Sequence, residues 1–380
     1  MSFKLPLLDI KESRSDNTPS ILALFGVQYL GTPTSHKQAL IIALKAIFSL
    51  ENGPGHVRTV TTSHQPESSS PNRNATIFQA FWFSSTEYDA WGQSAAVSSF
   101  WNGLQEDAGV WREVMRVNPR RFMHANGAAK KQGLARVPEL SEANYADIAP
   151  ETKYWGIYRE RIPDHASDSF DSVFISEAQK KEMEGKGVND IPAKKAVVLE
   201  DPPLSSSDAS STQVRLGRVV IPHGIDNLLY VWEFQDYSQV MEPEKEIWEK
   251  DINPHVRGWM NTLDKDRSKH GVLSFRNVAL TTINNAPASI VPENRVMSQF
   301  VFYLDLAAFE YSGKATRDHF KARIAFEKHH KVNGALGTGK GRTQLAVEVA
   351  ILKRNDFEAE YIGCLDGTGL MGYKDLFDAA

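Results

Sequence analysis

A histidine near the start of a helical segment is the first residue whose surroundings suggest cofactor chemistry. His319 lies close to the beginning of residues 317–332, which have helical spacing, and His330 returns to the same helical face eleven residues later. The same helix is predicted to carry an apolar surface formed by Phe320, Ile324 and Ala325. A neutral imidazole there can ligate a metal or a large apolar cofactor, although a lone helical histidine is more often a core or surface residue.

Arg161 is the second candidate, because aromatic residues precede it and could bury it. It follows Tyr154-Trp155-Gly156-Ile157-Tyr158 within a few residues. An arginine beside a pocket is a permanent donor that can bind a leaving oxygen or a carboxylate. The competing interpretation is an ordinary ion pair with Glu160 or Asp164.

Several other motifs are weak or absent. The segment from Gly334 to Lys340 fits G-x-x-x-x-G-K, but Gly341 replaces the Ser or Thr of a P-loop, and a helix precedes it instead of a strand. No HExxH motif, no zinc-spaced Cys/His cluster and no G-x-S-x-G elbow occurs. These patterns argue against a P-loop nucleotide site, a structural zinc and a serine hydrolase of the elbow type.

The composition is that of a globular protein. In 380 residues, 24% are charged and the formal net charge is −4, without a basic block that would indicate a nucleic-acid surface. The single cysteine, Cys364, excludes an intramolecular disulfide. Charges interrupt the first seventeen residues, and no stretch of about 18 apolar residues occurs, so we expect neither a signal peptide nor a membrane span. A cytoplasmic protein is predicted.

Periodicity predicts alternating strands and helices between Ser/Pro-rich loops at 62–74 and 202–212. Strands are expected at 22–30, 56–62, 76–83, 213–222, 228–234, 272–282, 299–304, 344–352 and 360–364. Helices are expected at 35–50, 89–104, 238–263 and 317–332.

This β-α-β-β-α-β order, repeated, predicts an α+β fold of two fused ferredoxin-like halves that form a barrel-like antiparallel core. The halves are placed at residues 20–165 and 166–380, the second carrying the helix of His319. A doubly wound parallel sheet is disfavoured because consecutive strands within 213–234 lack an intervening helix.

Around these candidates the chain resembles the haem-containing aldoxime dehydratases, the phenylacetaldoxime dehydratase family. The resemblance runs discontinuously from Gly26 to Leu370, and its most specific part is Tyr154-Trp155-Gly156 with Arg159-Glu160-Arg161-Ile162-Pro163, similar to the family's Y-W-G-x-M-R-D-R-F-P. Further similar stretches are Phe25 to Gly31, Gly217 to Val220, Asp226 to Leu228, Gln235 to Tyr237, Val347 to Val349, Glu360 to Cys364 and Gly367 to Leu370.

The resemblance implies haem b as cofactor, with His319 at the position of the proximal iron ligand and Arg161 at that of the pocket arginine. In the family, ferrous haem binds the oxime nitrogen and a distal acid helps the hydroxyl group leave as water. Two positions depart from the pattern. The family's substrate-anchoring serine is replaced by Glu233, and its distal catalytic histidine by Val347.

A valine cannot transfer a proton, so Glu233 is expected to replace the missing acid if an apolar pocket raises its pKa. The leading hypothesis is therefore a haem-dependent lyase that converts an aldoxime to a nitrile. Its substrate is expected to be a small N-hydroxylated molecule, and a homodimer is left open. Two alternatives remain: another reaction at an N–O or N–N bond, and a non-catalytic haem-binding protein. His329 and His330 also stay open as iron ligands.

Overall fold

The computed structural model describes residues 18–62, 73–126, 131–140, 158–170, 212–280, 296–330, 333–336 and 341–379, together with four two-residue strands outside these ranges. The strands are β1 (Leu7–Leu8), β2 (Ser20–Leu30), β3 (His56–Thr62), β4 (Arg73–Trp82), β5 (Val110–Val117), β6 (Phe122–Asn126), β7 (Tyr145–Ala146), β8 (Val214–Ile221), β9 (Leu228–Asp236), β10 (Val272–Leu280), β11 (Thr282–Ile283), β12 (Ala286–Pro287), β13 (Val296–Tyr303), β14 (Gln344–Leu352) and β15 (Phe357–Leu365).

The α-helices are α1 (Ser35–Ile47), α2 (Ser85–Gln93), α3 (Ala95–Asn102), α4 (Glu244–Ile247), α5 (Asn253–Lys265), α6 (Leu306–Ala315), α7 (Arg317–His330) and α8 (Lys374–Ala379). A π-helical turn, Trp248–Ile252, joins α4 to α5. Short 3₁₀ turns occupy Pro119–Arg121, Gly133–Arg136, Pro138–Leu140, Arg159–Arg161, Pro163–Ala166, Ser268–His270, Arg354–Asp356 and Met371–Tyr373. Within the described ranges, every helix is too short or too polar to cross a lipid bilayer.

One sheet joins both halves of the chain. Within the described residues it contains thirteen strands in the order β7-β1-β6-β14-β9-β13-β10-β3-β4-β2-β5-β15-β8. Neighbouring strands in this order run antiparallel. Its two central groups, β5-β2-β4-β3 and β14-β9-β13-β10, share one arrangement in which the fourth strand lies beside the first and the third beside the second. The predicted α+β fold of two ferredoxin-like halves is confirmed. The boundary at residues 165/166 stays a prediction.

The sheet curls, because strands far apart in its order meet through their inner side chains. Arg276 of β10 binds Glu113 of β5 through two contacts of 2.6 and 2.7 Å, and Tyr361 of β15 donates to the same carboxylate at 2.6 Å. On the other side of the curl, the Arg58 guanidinium lies 4.3 Å from the centre of the Phe234 ring. These contacts line the inner face of the barrel.

The helices cover the outer face of each half. Strands β2 and β4 direct Ile21, Ala23, Phe25 and Trp82 into a core shared with α1, α2 and α3. In the other half, α6 packs on the outer face of β13, where the Tyr303 and Phe309 rings lie 5.3 Å apart. Each half is therefore a sheet with helices on one side, and the two sheets enclose the barrel.

Some sequence expectations were wrong in detail. The single helix predicted at 89–104 is two helices, because Ser94 adopts an extended conformation and its hydroxyl group caps α3 by accepting from Val97 N. Strands β5 and β6 were not predicted, since charged residues break the apolar pattern of β5. Those charges are paired in the fold, Glu113 with Arg276 inside the barrel and Arg112 with Glu360 across the β5–β15 ladder.

We predict that Glu113→Gln lowers the free energy of unfolding by about 3–5 kcal/mol, because it leaves the buried Arg276 charge uncompensated. Urea denaturation followed by circular dichroism measures this loss. The double variant Glu113→Gln/Arg276→Met removes both charges and should lose less than Glu113→Gln alone. Equal or greater loss in the double variant would show that the ion pair is not the source of the effect.

Candidate active site

Polar side chains lie next to one another on the outer, helix-covered face of the strand group β14-β9-β13-β10. Side chains alternate between faces along a strand, and Glu233 of β9 lies in register with Val347 of β14 on one side and Gln299 of β13 on the other. Residue Gln299 is in turn opposite Asn277 of β10. Glu233 and Val347, the two positions that the resemblance predicts to depart from the family pattern, are therefore direct cross-strand neighbours.

Valine side chains lie beside the Glu233 carboxyl group on this face, together with the polar Gln299. The buried Val231 and Val301 share its face, and desolvation by burial raises the pKa of Glu233 to about 7. The Glu233 carboxylate and burial both raise the pKa of the Tyr303 hydroxyl, with burial the larger cause. Near neutral pH, Glu233 can therefore exist as a carboxylic acid and can give up its proton.

His319 lies in the first turn of α7, just after Thr316, the non-helical residue that separates α6 from α7. Thr316 ends α6 in an extended conformation, and its hydroxyl group donates to the Ser312 carbonyl oxygen at 2.7 Å. His319 Nδ1 lies 2.7 Å from the Gly313 carbonyl oxygen and must be the donor, because a carbonyl oxygen only accepts. The indole ring of Trp259 in α5 packs against the imidazole, with ring centres 4.5 Å apart.

These contacts determine the chemical form of His319. Burial lowers the pKa of its imidazole, so the neutral ring is favoured, and the bond to Gly313 keeps the proton on Nδ1. Nε2 then carries the lone pair. A neutral histidine whose second ring nitrogen donates to a backbone carbonyl is the usual form of a metal-bound histidine, so His319 fits the role of a metal ligand.

The other two histidines of α7 make different contacts. His329 Nε2 lies 2.8 Å from the Asp251 carboxylate. The His330 ring stacks on Phe326 with centres 3.9 Å apart, and His330 Nδ1 donates to the Phe326 carbonyl oxygen at 3.0 Å. His330 therefore shares with His319 a bond from Nδ1 to a backbone carbonyl and an aromatic contact, but its Nε2 faces the Glu244 carboxylate at 3.9 Å.

The predicted apolar surface of α7 was partly wrong. Phe320 and Ile324 are 50% and 46% exposed, so they do not pack into the core of the chain. The side chains that α7 buries are Ala322, Phe326 and His330. His319 therefore lies at the edge of the buried face, beside α5.

Arg161 ends a 3₁₀ turn, Arg159–Arg161, that is attached to α6. Arg159 forms a two-point ion pair with Glu310, at 3.1 and 3.2 Å, and the Tyr158 ring packs against Phe309 with centres 5.1 Å apart. Asp164, one partner considered for Arg161, binds Arg120 at 2.5 Å. The aromatic stretch Tyr154-Trp155-Gly156 and the Glu160 side chain lie outside the described residues, as do residues 337–340 of the glycine-rich segment.

Helix α6 connects these parts. Its Phe309 contacts both Tyr158 and Tyr303, and its Ser312 is hydrogen-bonded to Tyr303. The carbonyl oxygen of Gly313 accepts a hydrogen bond from His319 Nδ1. The strand of Gln299, the turn of Arg161 and the helix of His319 thus meet at one helix. Sequence reasoning missed Gln299 and Tyr303, although a glutamine inside the apolar run of β13 was a visible signal.

Comparison with known proteins places the chain among haem enzymes. A profile of the haem-containing dehydratase family matches residues 23–370. The aliphatic aldoxime dehydratase of Rhodococcus globerulus is 24% identical over 94% of this chain and 88% of that protein. The phenylacetaldoxime dehydratase of Bacillus sp. (strain OxB-1) is 22% identical over the same shares, 94% and 88%.

Solved structures show the same fold. An aldoxime dehydratase crystallised with butyraldoxime superposes with a TM-score of 0.69 at 19% identity, covering 97% of this chain and 89% of that one. A second aldoxime dehydratase structure gives a TM-score of 0.70 at 18% identity, covering 96% and 90%.

The raised pKa of Glu233 predicts a pH-dependent stability. The folded carboxyl group keeps a proton that the unfolded chain releases between its ordinary pKa of 4.5 and about 7, so the free energy of unfolding falls as pH rises through this window. The fall is up to about 3 kcal/mol. Glu233→Gln should abolish it and be the more stable protein at pH 8, with little difference at pH 4.

Denaturant unfolding at both pH values measures this prediction. Glu249→Gln changes a side chain that is 57% exposed and serves as the matched control. A Glu233→Gln protein with the same pH dependence as the unmodified chain would contradict a raised pKa at this position.

Proposed function

Since the chain belongs to the haem-containing dehydratase family, we propose that it uses haem b to dehydrate an aldoxime to a nitrile. The observation that carries this proposal is the family match across residues 23–370, which includes the strands, the turn and the helix of all the candidate residues. The relatives named for aldoxime dehydration match nearly the whole chain and support the same reaction class.

His319 is proposed as the residue that would hold the haem iron. Its neutral imidazole, its Nδ1 proton bound by Gly313 and its contact with Trp259 support this role. A haem held there would supply electron density that weakens the N–O bond of an oxime. The remaining tasks, binding the oxime oxygen and moving two protons, fall to side chains of this chain.

Glu233 is proposed as the acid. Its carboxyl proton passes to the oxime oxygen as the N–O bond breaks, so the oxygen leaves as water and not as hydroxide. The electrons of the aldoxime C–H bond become the third carbon–nitrogen bond, and the carbon proton returns to the Glu233 carboxylate. Atoms and charge balance, no oxidant or reductant is consumed, and Glu233 is restored.

The position of Glu233 supports this assignment. It lies opposite Val347, so a proton donor on β9 is one strand spacing, about 4.8 Å, from the position of the family's distal histidine. A pKa of about 7 also suits a general acid, because efficiency is greatest when the pKa lies near the working pH.

Arg161 is proposed to donate to the oxime oxygen and to orient it toward Glu233. A guanidinium group remains charged at every physiological pH and presents several donors in one plane. The ion pair between Arg159 and Glu310 fixes the turn of Arg161 on α6. The end of α6 also contacts His319 through the Gly313 carbonyl oxygen, which supports a shared pocket.

The cytoplasmic location, the small N-hydroxylated substrate and the homodimer are parts of the same proposal. Cys364 is buried and unpaired, which suits a reducing compartment. Its thiol has a pKa raised to about 12 by burial, so we assign it no chemical role.

The first test is the visible spectrum of the purified protein, oxidised and reduced, for the unmodified chain, His319→Ala and His330→Ala. We expect a Soret band that His319→Ala loses or shifts and that His330→Ala keeps. A shift in His330→Ala alone would move the ligand assignment to that residue. Absence of haem, even after reconstitution, would leave a non-catalytic protein of the same fold.

The second test is nitrile formation by the reduced protein with a panel of aldoximes. Glu233→Gln should keep its haem and lose turnover by roughly 10²–10⁴-fold, the usual contribution of a general acid. Full activity of Glu233→Gln would remove Glu233 from the mechanism. Haem-loaded protein that converts no aldoxime would favour the second candidate function, a reaction at another N–O or N–N bond. The presence of Glu233 and Val347 at these two positions is the observation that favours this alternative.

A further inference from the structure

Gln299 is a buried glutamine whose hydrogen bonding is incomplete. It lies in β13 and is 1% exposed. Its amide nitrogen donates to Asn277 Oδ1 at 3.2 Å, whereas Gln299 Oε1 is buried and has no hydrogen-bond partner among the described residues. A buried amide oxygen is nearly always hydrogen-bonded in a native protein, so this oxygen calls for a donor.

The strands beside β13 limit where a donor for this oxygen can lie. Asn277 lies on β10, on one side of β13, and Glu233 lies on β9, on the other. The bond to Asn277 uses the amide nitrogen on the β10 side, which leaves Gln299 Oε1 available to a donor on the β9 side. Cross-strand neighbours have Cβ atoms about 4.5–5.5 Å apart, which brings the Glu233 carboxyl group within reach.

The other groups around Glu233 do not compete for this oxygen. Val347, the neighbour on β14, has no polar atom. Tyr303, also on β13, is hydrogen-bonded to Ser312 of α6. No charged group contributes to the raised pKa of Glu233, so the Arg161 guanidinium does not lie against this carboxyl group in the protein without substrate.

We propose that Gln299 Oε1 accepts a hydrogen bond from the protonated Glu233 carboxyl group, making Gln299 the positioning residue that holds this acid in its protonated form. A hydrogen bond to the neutral form of an acid disfavours ionisation, so it acts in the same direction as the apolar neighbours. The bond also fixes which carboxyl oxygen carries the proton. Its catalytic meaning rests on the proposed function, but the bond itself can be tested without any substrate.

The test is an infrared pH titration of the resting protein. The carbonyl stretch of protonated Glu233 is identified by its loss in Glu233→Gln, and its midpoint is followed in the Gln299 variants. Gln299→Met should lower the midpoint by about one pH unit, the equivalent of one net hydrogen bond. Gln299→Leu, which also removes the amide oxygen, should lower it by a similar amount.

Gln235→Met is the matched control. Gln235 is another buried glutamine on the same face, two residues along β9, and its Oε1 also has no partner among the described residues. Its replacement should leave the Glu233 midpoint unchanged. A Gln299→Met midpoint equal to that of the unmodified protein overturns the proposal, as does an equal shift in Gln235→Met.

The titration separates this proposal from the proposed function. A shifted midpoint in protein that forms no nitrile would keep the Glu233–Gln299 pair and reject the reaction. Nitrile formation with no midpoint shift would keep the reaction and reject the pair. If Gln299→Met does not fold, Gln299→Leu provides the same decision, because it removes the same amide oxygen and should give the same downward shift.

Discussion

The register of β9 between β13 and β14 is the constraint on which the candidate site depends. Each residue of β9 from Leu229 to Asp236 has a partner on both neighbouring strands. A slip of one residue would turn Glu233 from the helix-covered face into the barrel and bring Trp232 out. The bulky Trp232 and Phe234, stacked inside the barrel beside Arg58, oppose such a slip.

Helix α6 transmits that register to the proposed haem ligand. The Asp305 carboxylate caps the helix by accepting from Ala308 N at 2.8 Å, directly after Tyr303 ends β13. The start of α6 is thus attached to the strand beside β9, while its end supplies the carbonyl that orients His319. Glu233 and His319 are far apart in sequence, yet α6 alone connects β13, the strand beside Glu233, to the helix that carries His319.

Much of this architecture was readable in the sequence because the periods of strands and helices are local properties. The alternation within 344–352 and the helical spacing of 317–332 needed no knowledge of distant residues, and both elements formed as expected. Strand β5 was missed because its charged residues are stabilised by partners on β10 and β15, far along the chain. The adjacency of Glu233, Val347 and Gln299 could not be predicted for the same reason, since cross-strand register is a tertiary property.

The exposed face of α7 shows a different limit. An apolar residue at helical spacing predicts burial only if something covers that side of the helix, and the 50% exposure of Phe320 shows that the described part of the chain leaves it partly open. His319 could be selected from its position in the helix, but not its tautomer. That depends on the Gly313 carbonyl, which becomes available because α6 ends at Ala315.

The two departures from the family pattern are physically coupled. A histidine at position 347 would lie directly opposite Glu233, and its protonated form would lower the pKa of the carboxyl group by pairing with it. Valine there removes a base and also adds apolar surface beside the carboxyl group, which favours its protonated form. The apolar side chain of Val347 therefore acts in the same direction as the burial that raises the pKa of Glu233 to about 7.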